Sequence, residues 1–300
     1  MKEHITLNQL GEQLDFFHRM YDVVRLVDPI HKRVIDYRGS AIKSTNEICY
    51  NYWSNGVICD NCISVRAYME NKVFVKLERT EKEILMITAI PLENTTSPVT
   101  LELMRDGTSS IFMGSGDYKT GESLHSFVNN LNDMVIKDSL SNLYNRRFLK
   151  DRLPVDIIHA TINRQPLSLC FIDLDNFKRL NDTYGHEVGD KFIKAVSAVF
   201  RKCIRPELDW ASRFGGDEFV LCFNNASEEE ATNIMEHIRS EIDKIPSLLG
   251  IENLHFSISY GIQMMKDTLF TADELIQLAD EKMYIDKKRK YDRRLNYKER

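Results

Sequence analysis

Residues 213–223 read "RFGGDEFVLCF". With the preceding "WAS" they make two runs separated by Gly215-Gly216, the short-hairpin signal, because glycine adopts the backbone angles that tight turns need. Asp217 and Glu218 follow the glycines at once and lead into "FVLCF", a run apolar enough for a buried strand. Adjacent carboxylates at the edge of a buried strand are unfavourable without a counter-charge. The question posed by the hairpin is what they hold.

A second strand sharpens it. "PLSLCFIDLDNFK" (166–178) begins nearly continuously apolar and ends in acids. Asp173 and Asp175 alternate about Leu174, so the pleat turns both carboxylates to one face at the strand's C-terminal end. If the two strands are central neighbours, Asp173 lies close to Asp217, and the pair needs a cation between them. Hard oxygen ligands with room for water and phosphate suit Mg²⁺. Glycines without a Cβ would let a nucleotide lie against the backbone. Lys178 sits at the helix start after the acidic strand end, where backbone N–H groups point outward, and Lys287 lies in "KKRK" near the C-terminus. Both are candidates for phosphate contact, each with a solvated surface charge as its plainer reading.

The surrounding periodicities predict a mixed sheet. "HEVGDKFIKAVSAVFRKC" is helical, with Phe192, Val196 and Val199 apolar. "ASEEEATNIMEHIRSEIDKI" opens on a Ser227 N-cap with acids in its first turn. "LHFSISYGIQMM" reads as a strand and "TADELIQLADEKMYIDKKRK" as a capped last helix. Strands and helices alternate, but the hairpin interrupts the alternation.

Five segments, "DSLSNLYNRR" (138–147), "FIDLDNFKRLNDTYGHEVGD" (171–190), "RFGGDEF" (213–219), "SISYGI" (257–262) and "ADEKMYIDK" (279–287), together resemble the GGDEF diguanylate cyclase family in order and spacing. The resemblance covers about half the chain and implies an α+β, palm-like mixed-sheet domain over residues 138–300. It implies that Asp173, the Leu174 carbonyl and Asp217 hold Mg²⁺, or Mn²⁺ in its place, with Glu218 supporting the cluster. Asn181 and Asp190 would read guanine, Gly215 and Gly216 would make room for GTP, and Phe177 would be among the substrate contacts. Lys178 and Lys287 would hold the terminal phosphates. The implied reaction joins two GTP molecules into cyclic di-GMP with release of two pyrophosphates, in a homodimer whose two sites face each other. A silent module that binds GTP or cyclic di-GMP and signals by contact is the alternative.

The chain departs from that family in two places. Its inhibitory product site is an Arg-x-x-Asp; here Asp209 is in place but Pro206 stands at the Arg position, with Arg205 one residue away. Weak or absent product inhibition is the expectation. The family's closing Gly-Arg-Asn is absent from "KKRKYDRR", where Tyr291 takes the arginine position and Arg289, Lys290 or Arg293 are the candidate substitutes.

Upstream, Leu7, Leu10, Leu14 and Phe17 mark a short amphipathic helix, and "YDVVRLVDPIHKRVIDY" a strand, Asp-Pro turn and strand. A mixed, helical stretch (41–70) and three β-rich runs follow, so residues 1–108 resemble a PAS sensor fold with helices on one side and "RDGT" (Arg105–Thr108) as its exit. Residues 109–137 read as a Ser/Gly-rich linker and a signalling helix with Leu124, Phe127, Leu131 and Met134 on one stripe, either lying on a domain or forming a short coiled coil. Cys49, Cys59 and Cys62 form C-x9-C-x2-C, half of a zinc or iron–sulfur site with His31 as a weak fourth ligand, a redox-sensing group, or a group of small free thiols. Cys170 and Cys222 lie in strand runs and belong to a core, and Cys203 is inert.

At 300 residues the chain accommodates two domains, and its net charge of −5 gives no global pull toward nucleic acid or anionic membrane. No apolar run approaches the ~20 residues that span a bilayer, and no signal-peptide pattern opens the chain. A cytoplasmic protein with reduced cysteines is the expectation.

Overall fold

The computed structural model describes residues 5–38, 41–53, 58–80, 83–93, 95, 97–108, 133–251, 256–266 and 270–298. The chain divides into two compact units, Met1–Ile136 and Lys137–Arg300. Most of the expected linker, including Leu124, Phe127 and Leu131, lies outside the described residues.

In the first unit, β1 (Ile5–Thr6) and α1 (Leu7–Met20) precede β2 (Val23–Asp28), β3 (Arg33–Arg38) and β4 (Ala41–Ile48). A 3-10 turn (Cys49–Trp53) and α2 (Ile63–Glu70) follow, then β5 (Phe74–Arg79), β6 (Ile84–Glu93) and β7 (Thr100–Asp106). The sheet runs β1-β6-β7-β2-β3-β4, with β5 also paired to β6. Two expectations are corrected. Ala41–Ile48, read as helical, is an edge strand pairing antiparallel with β3; its Lys, Ser, Thr, Asn and Glu suit a solvated edge, which hides the strand from an apolar count. The helices also cover both faces. Leu10 of α1 packs with Leu26, Leu101 and Leu103, whereas Ile63 and Ala67 of α2 pack with Leu85, Ile87 and Met104 from the opposite side of the pleat.

The second unit is built on β9 (Leu167–Leu174), whose eight residues are all buried. Its sheet runs β12-β9-β11-β10-β8, with β8 (Tyr144–Asn145), β10 (Trp210–Gly215), β11 (Glu218–Asn224) and β12 (Ile258–Met265). The β10–β8 pair is parallel and the other pairs are antiparallel, the mixed sheet that the hairpin foretold. α3 (Arg146–Asn163) packs on β10 and β9; α4 (Phe177–Tyr184) and α5 (His186–Cys203) follow β9. α6 (Glu228–Ile242) opens on the full Ser227–Glu230 capping box and is followed by the short α7 (Ile245–Leu248). α8 (Ala272–Lys298) lies along β12 and β9. Phe192, Val196 and Phe200 of α5 and Met235 and Ile238 of α6 share one core with Cys170, Ile172, Phe219 and Leu221 of the central strands. Cys170 and Cys222 are fully buried, as their apolar neighbours imply, and Cys203 is partly so. Among the described residues no helix is long and apolar enough to cross a membrane.

Candidate active site

The site forms where β9 ends. The register sets Asp173 opposite Glu218 on β11 and opposite Ser259 on β12. The Leu174 N–H donates to the Asp217 carbonyl at 3.2 Å, so the hairpin tip closes over the last residues of β9. Gly216 holds φ at +56°, a backbone that non-glycine residues adopt with strain. A Cβ at Gly215 would meet nothing within 4 Å, so open space lies beside the turn.

Sequence reasoning missed what clamps this turn. Arg213 donates from Nε and Nη2 to the Gly216 carbonyl at 2.9 and 2.7 Å and from Nη1 to Asp138 at 3.1 Å. Asp138 also accepts from the Ser141 backbone and hydroxyl at 2.8 and 2.7 Å. Although partial burial opposes its charge, the bonds from Ser141 and Arg213 hold the Asp138 carboxyl below its ordinary range. The "DSLS" segment is therefore a latch on the hairpin, a role that no local pattern announces.

Charges concentrate at the strand ends. Burial raises the Asp173 carboxyl above its ordinary value; the Lys287 bond opposes this, and Asp217 and Asp175 add to it. Glu218 is raised by burial, then by Asp173, Asp217 and Asp280. Lys287, expected on phosphate, donates from Nζ to Asp173 Oδ1 at 2.7 Å. Partial burial works against its charge, yet the bond to Asp173 and that carboxylate's field hold Lys287 above its usual value.

Asp175 is tied down separately. It accepts from the hydroxyls of Ser257 and Ser259, the latter at 2.7 Å, and from Lys290 Nζ at 3.3 Å. Lys290 also bonds the Ile258 carbonyl, Ser259 Oγ at 3.2 Å and Asp286 at 3.1 Å. Of the candidate substitutes for the missing arginine, Lys290 is thus committed to the second carboxylate, and the Arg293 side chain lies outside the described residues, as does that of Tyr291 at the arginine position itself.

Among the described residues no three His, Cys, Asp or Glu form a ready cage for a metal. At the acidic site the donor set still fits a hard divalent ion. Mg²⁺ takes one or two carboxylates and fills its remaining positions with water and phosphate, and Asp173, Asp217 and the Leu174 carbonyl would supply that set. Asp217 raises both Asp173 and Glu218, and Lys287 is bonded to Asp173, which marks a place that favours positive charge. In the first unit Cys49, Cys59 and Cys62 are free thiols and join no metal-holding group among the described residues, so the zinc or iron expectation gains nothing.

One prediction follows from the raised acids. A carboxyl whose folded value is raised lowers stability at pH above that value, and the deficit disappears as pH falls through it. Glu218→Gln should therefore raise the melting temperature of the protein in EDTA at pH 7.5, by roughly 1–3 °C. The gain should vanish toward pH 4; an equal or lower melting temperature at pH 7.5 would contradict the electrostatic reading.

The residues expected to read guanine lie on α4 and α5. Asn181 packs its carboxamide against Gly189, where a Cβ would stand 1.9 Å from Asn181 Oδ1 and 3.0 Å from its Cγ. That Oδ1 is buried with no hydrogen-bond partner. Asp190 is exposed on the next residue of α5, Lys178 is exposed in the first turn of α4, and Phe177 is partly buried beside Gly189. Gly189→Ala should displace Asn181; if Asn181 reads guanine, as the resemblance implies, the KM for GTP should rise by about tenfold or more, the value of a lost hydrogen bond to a polar edge. Its melting temperature should change little, because alanine recovers about 1 kcal/mol of helix propensity. An unchanged KM would remove Asn181 from recognition.

Arg205, beside the expected inhibitory position, is folded back onto its own motif. Its Nε and Nη2 donate to Asp209 at 2.8 and 2.7 Å, and Nη2 reaches the Asn224 carbonyl at 2.7 Å.

The second unit is thus a mixed α+β domain with paired carboxylates at a central strand end beneath a glycine hairpin. The family model "Diguanylate cyclase, GGDEF domain" matches residues 135–293, more than half of the chain, and the chain belongs to that family. Diguanylate cyclase DosC of Escherichia coli K12 is 40% identical over 153 residues, covering 51% of this chain and 33% of DosC. Response regulator PleD of Caulobacter vibrioides is 32% identical over 154 residues, covering 51% of this chain and 34% of PleD. The chain thus spans about a third of the length of these curated relatives. The crystal structure of the coiled coil and GGDEF domain of DgcB from Caulobacter crescentus, in complex with c-di-GMP, aligns with a TM-score of 0.50 at 25% identity. That alignment covers 56% of this chain and 88% of the other.

Proposed function

We propose that the chain is a diguanylate cyclase that condenses two GTP into cyclic di-GMP and two pyrophosphates, with residues 138–300 as the catalytic domain. The observation that carries this reading is the cross-strand cluster of Asp173, Asp217 and Glu218, with Lys287 standing where a cation belongs.

Asp173, Asp217 and the Leu174 carbonyl would hold Mg²⁺ or Mn²⁺. When bound, the ion would acidify the attacking 3′-hydroxyl and neutralise charge developing at the α-phosphate. Lys287 would exchange its carboxylate for phosphate oxygens, and Lys178 would meet the terminal phosphates from the start of α4. Glu218 would tighten the acidic field that retains the cation. The orphaned acceptor of Asn181 and the carboxylate of Asp190 together suit an edge that presents donors. Guanine offers its ring N–H and exocyclic amine there, whereas adenine offers a ring acceptor, so GTP is favoured over ATP. Gly215 and Gly216 leave the space in which the nucleotide lies. Each domain holds one GTP, so two copies must face each other and turnover belongs to a homodimer.

The first unit would be a PAS-like sensor, residues 1–108, acting through residues 109–137. Support comes from its sheet with helices between two groups of strands, and from its exit. There Asp106 accepts from the Thr108 backbone and hydroxyl at 2.8 and 2.6 Å, and Thr108 Oγ1 accepts from the Ile84 N–H at 2.9 Å. With Arg205 and Asp209 satisfying each other, cyclic di-GMP added at the start should leave the initial rate nearly unchanged; a severalfold slowing would contradict that arrangement.

The test of the activity is incubation of the full chain with GTP and Mg²⁺, followed by chromatography. Cyclic di-GMP is the expected product. GTP bound but returned unconverted would favour the silent signalling module, which the altered closing motif at Tyr291 keeps as the rival.

A further inference from the structure

The cysteine-bearing corner of the first unit holds a buried charge of unusual kind. Lys32 adopts φ +58°, in the left-handed region that a lysine rarely occupies, at the end of the β2–β3 turn. Asp28 builds that turn by accepting from the Ile30 and His31 N–H groups, each at 2.9 Å. The conformation carries the lysine inward: the residue is only 6% exposed. Among the described residues its ammonium has one hydrogen-bond acceptor, the sulfur of Cys62 at 3.5 Å.

A buried ammonium without a carboxylate needs an anion. Cys62 is suited to be that anion. It is the N-cap of α2, where the helix's free N–H groups favour negative charge, and no side chain caps that end. A second ammonium lies next to it, since Lys76 Nζ donates to the Asn61 carbonyl at 2.9 Å and pairs with Glu78. Burial pushes Cys59 up to about 12 and raises Cys49 as well. With Lys76 held by Glu78, and with Glu102 acting on Cys49 and Cys59, the Lys32 ammonium is the positive charge in direct contact with the Cys62 sulfur.

We propose that Cys62, held against the Lys32 ammonium at the start of α2, is the residue at which this unit reacts with peroxides, through its thiolate, with Cys59 as its resolving thiol. The Cys62 sulfur attacks one peroxide oxygen; the S–O bond forms, the O–O bond breaks, and the leaving hydroxide takes a proton from solvent to become water. The Cys59 sulfur then attacks the sulfenic sulfur. The S–S bond forms, the S–O bond breaks, and the Cys59 proton leaves with the departing oxygen as a second water. Two thiols lose two electrons and the peroxide gains them. Lys32 is left without its anion, which gives the corner two electrostatic states.

The proposal rests on this thiol chemistry and not on the cyclase reading, so either can fail alone. The test is pulsed alkylation of the reduced full chain with iodoacetamide at pH 7, followed by peptide mass spectrometry. Cys62 should react about tenfold or more faster than Cys59, and faster than Cys62 in the urea-unfolded chain. Lys32→Met should abolish the advantage and Lys32→Arg should keep it. One equivalent of hydrogen peroxide should join Cys59 to Cys62, and in Cys59→Ser should leave a sulfenic acid at Cys62 that dimedone captures. A Cys62 that reacts more slowly folded than unfolded would overturn the proposal even if the lysine variants fail to fold. Stoichiometric zinc or iron on the freshly purified protein would overturn it too.

Discussion

Asp217→Asn should abolish turnover while leaving the fold intact. The substitution keeps the size of the side chain and the backbone carbonyl that accepts from Leu174, so the closure of the hairpin over β9 persists. It removes one of two carboxylates that would hold the ion at the reacting phosphate. A loss of at least about a thousandfold in kcat is expected, equivalent to about 4 kcal/mol of barrier. Stability should move the other way. Asp217 raises both Asp173 and Glu218, so its neutralisation relieves repulsion and the metal-free variant should melt no lower than wild type. Circular dichroism, melting and initial rates measured together separate the two effects. A variant that retains a tenth of wild-type activity would remove Asp217 from the metal site.

The largest effect on stability is expected at Gly261. This β12 residue lies beneath α8, and a Cβ there would stand 2.2 Å from the Met283 backbone nitrogen and 2.3 Å from the Ala279 carbonyl. Neither is a flexible side-chain end, so the whole helix must lift. Gly261→Ala should cost about 3 kcal/mol or more and lower the melting temperature by roughly 6–12 °C. Because α8 carries Lys287 and Lys290 to Asp173 and Asp175, activity should fall at temperatures where the variant is still folded. A melting temperature within 2 °C of wild type, scaled as above to about half a kcal/mol, would show that the helix does not need the close approach.

Much of the catalytic fold was legible because its signals are local. Alternation about Leu174 places the acids, a Gly-Gly turn makes the hairpin, and Ser227 with Glu230 caps a helix. What escaped depends on partners distant in sequence. Gly189 reads as an ordinary helix glycine until Asn181 is seen against it, and Gly261 as a strand glycine until α8 arrives. α3 gave no clear signal: Pro154 interrupts it, and its buried Asp156 makes sense only beside Arg152 and the Trp210 indole, which donates at 2.7 Å. Lys290 read as a candidate substitute for the missing arginine, yet it anchors Asp175, because a lysine's reach is set by the sheet under it. In the first unit the polar edge strand Ala41–Ile48 defeated an apolar criterion, and the Cys62 environment depended on Lys32, thirty positions earlier.

The most direct test of the cyclase reading is the stoichiometry of the reaction with GTP and Mg²⁺. Wild-type protein should release two pyrophosphates for each cyclic di-GMP formed, should stop in EDTA, and should leave ATP unconverted. Pyrophosphate release without cyclic di-GMP, or no release from protein shown to bind GTP, would contradict it.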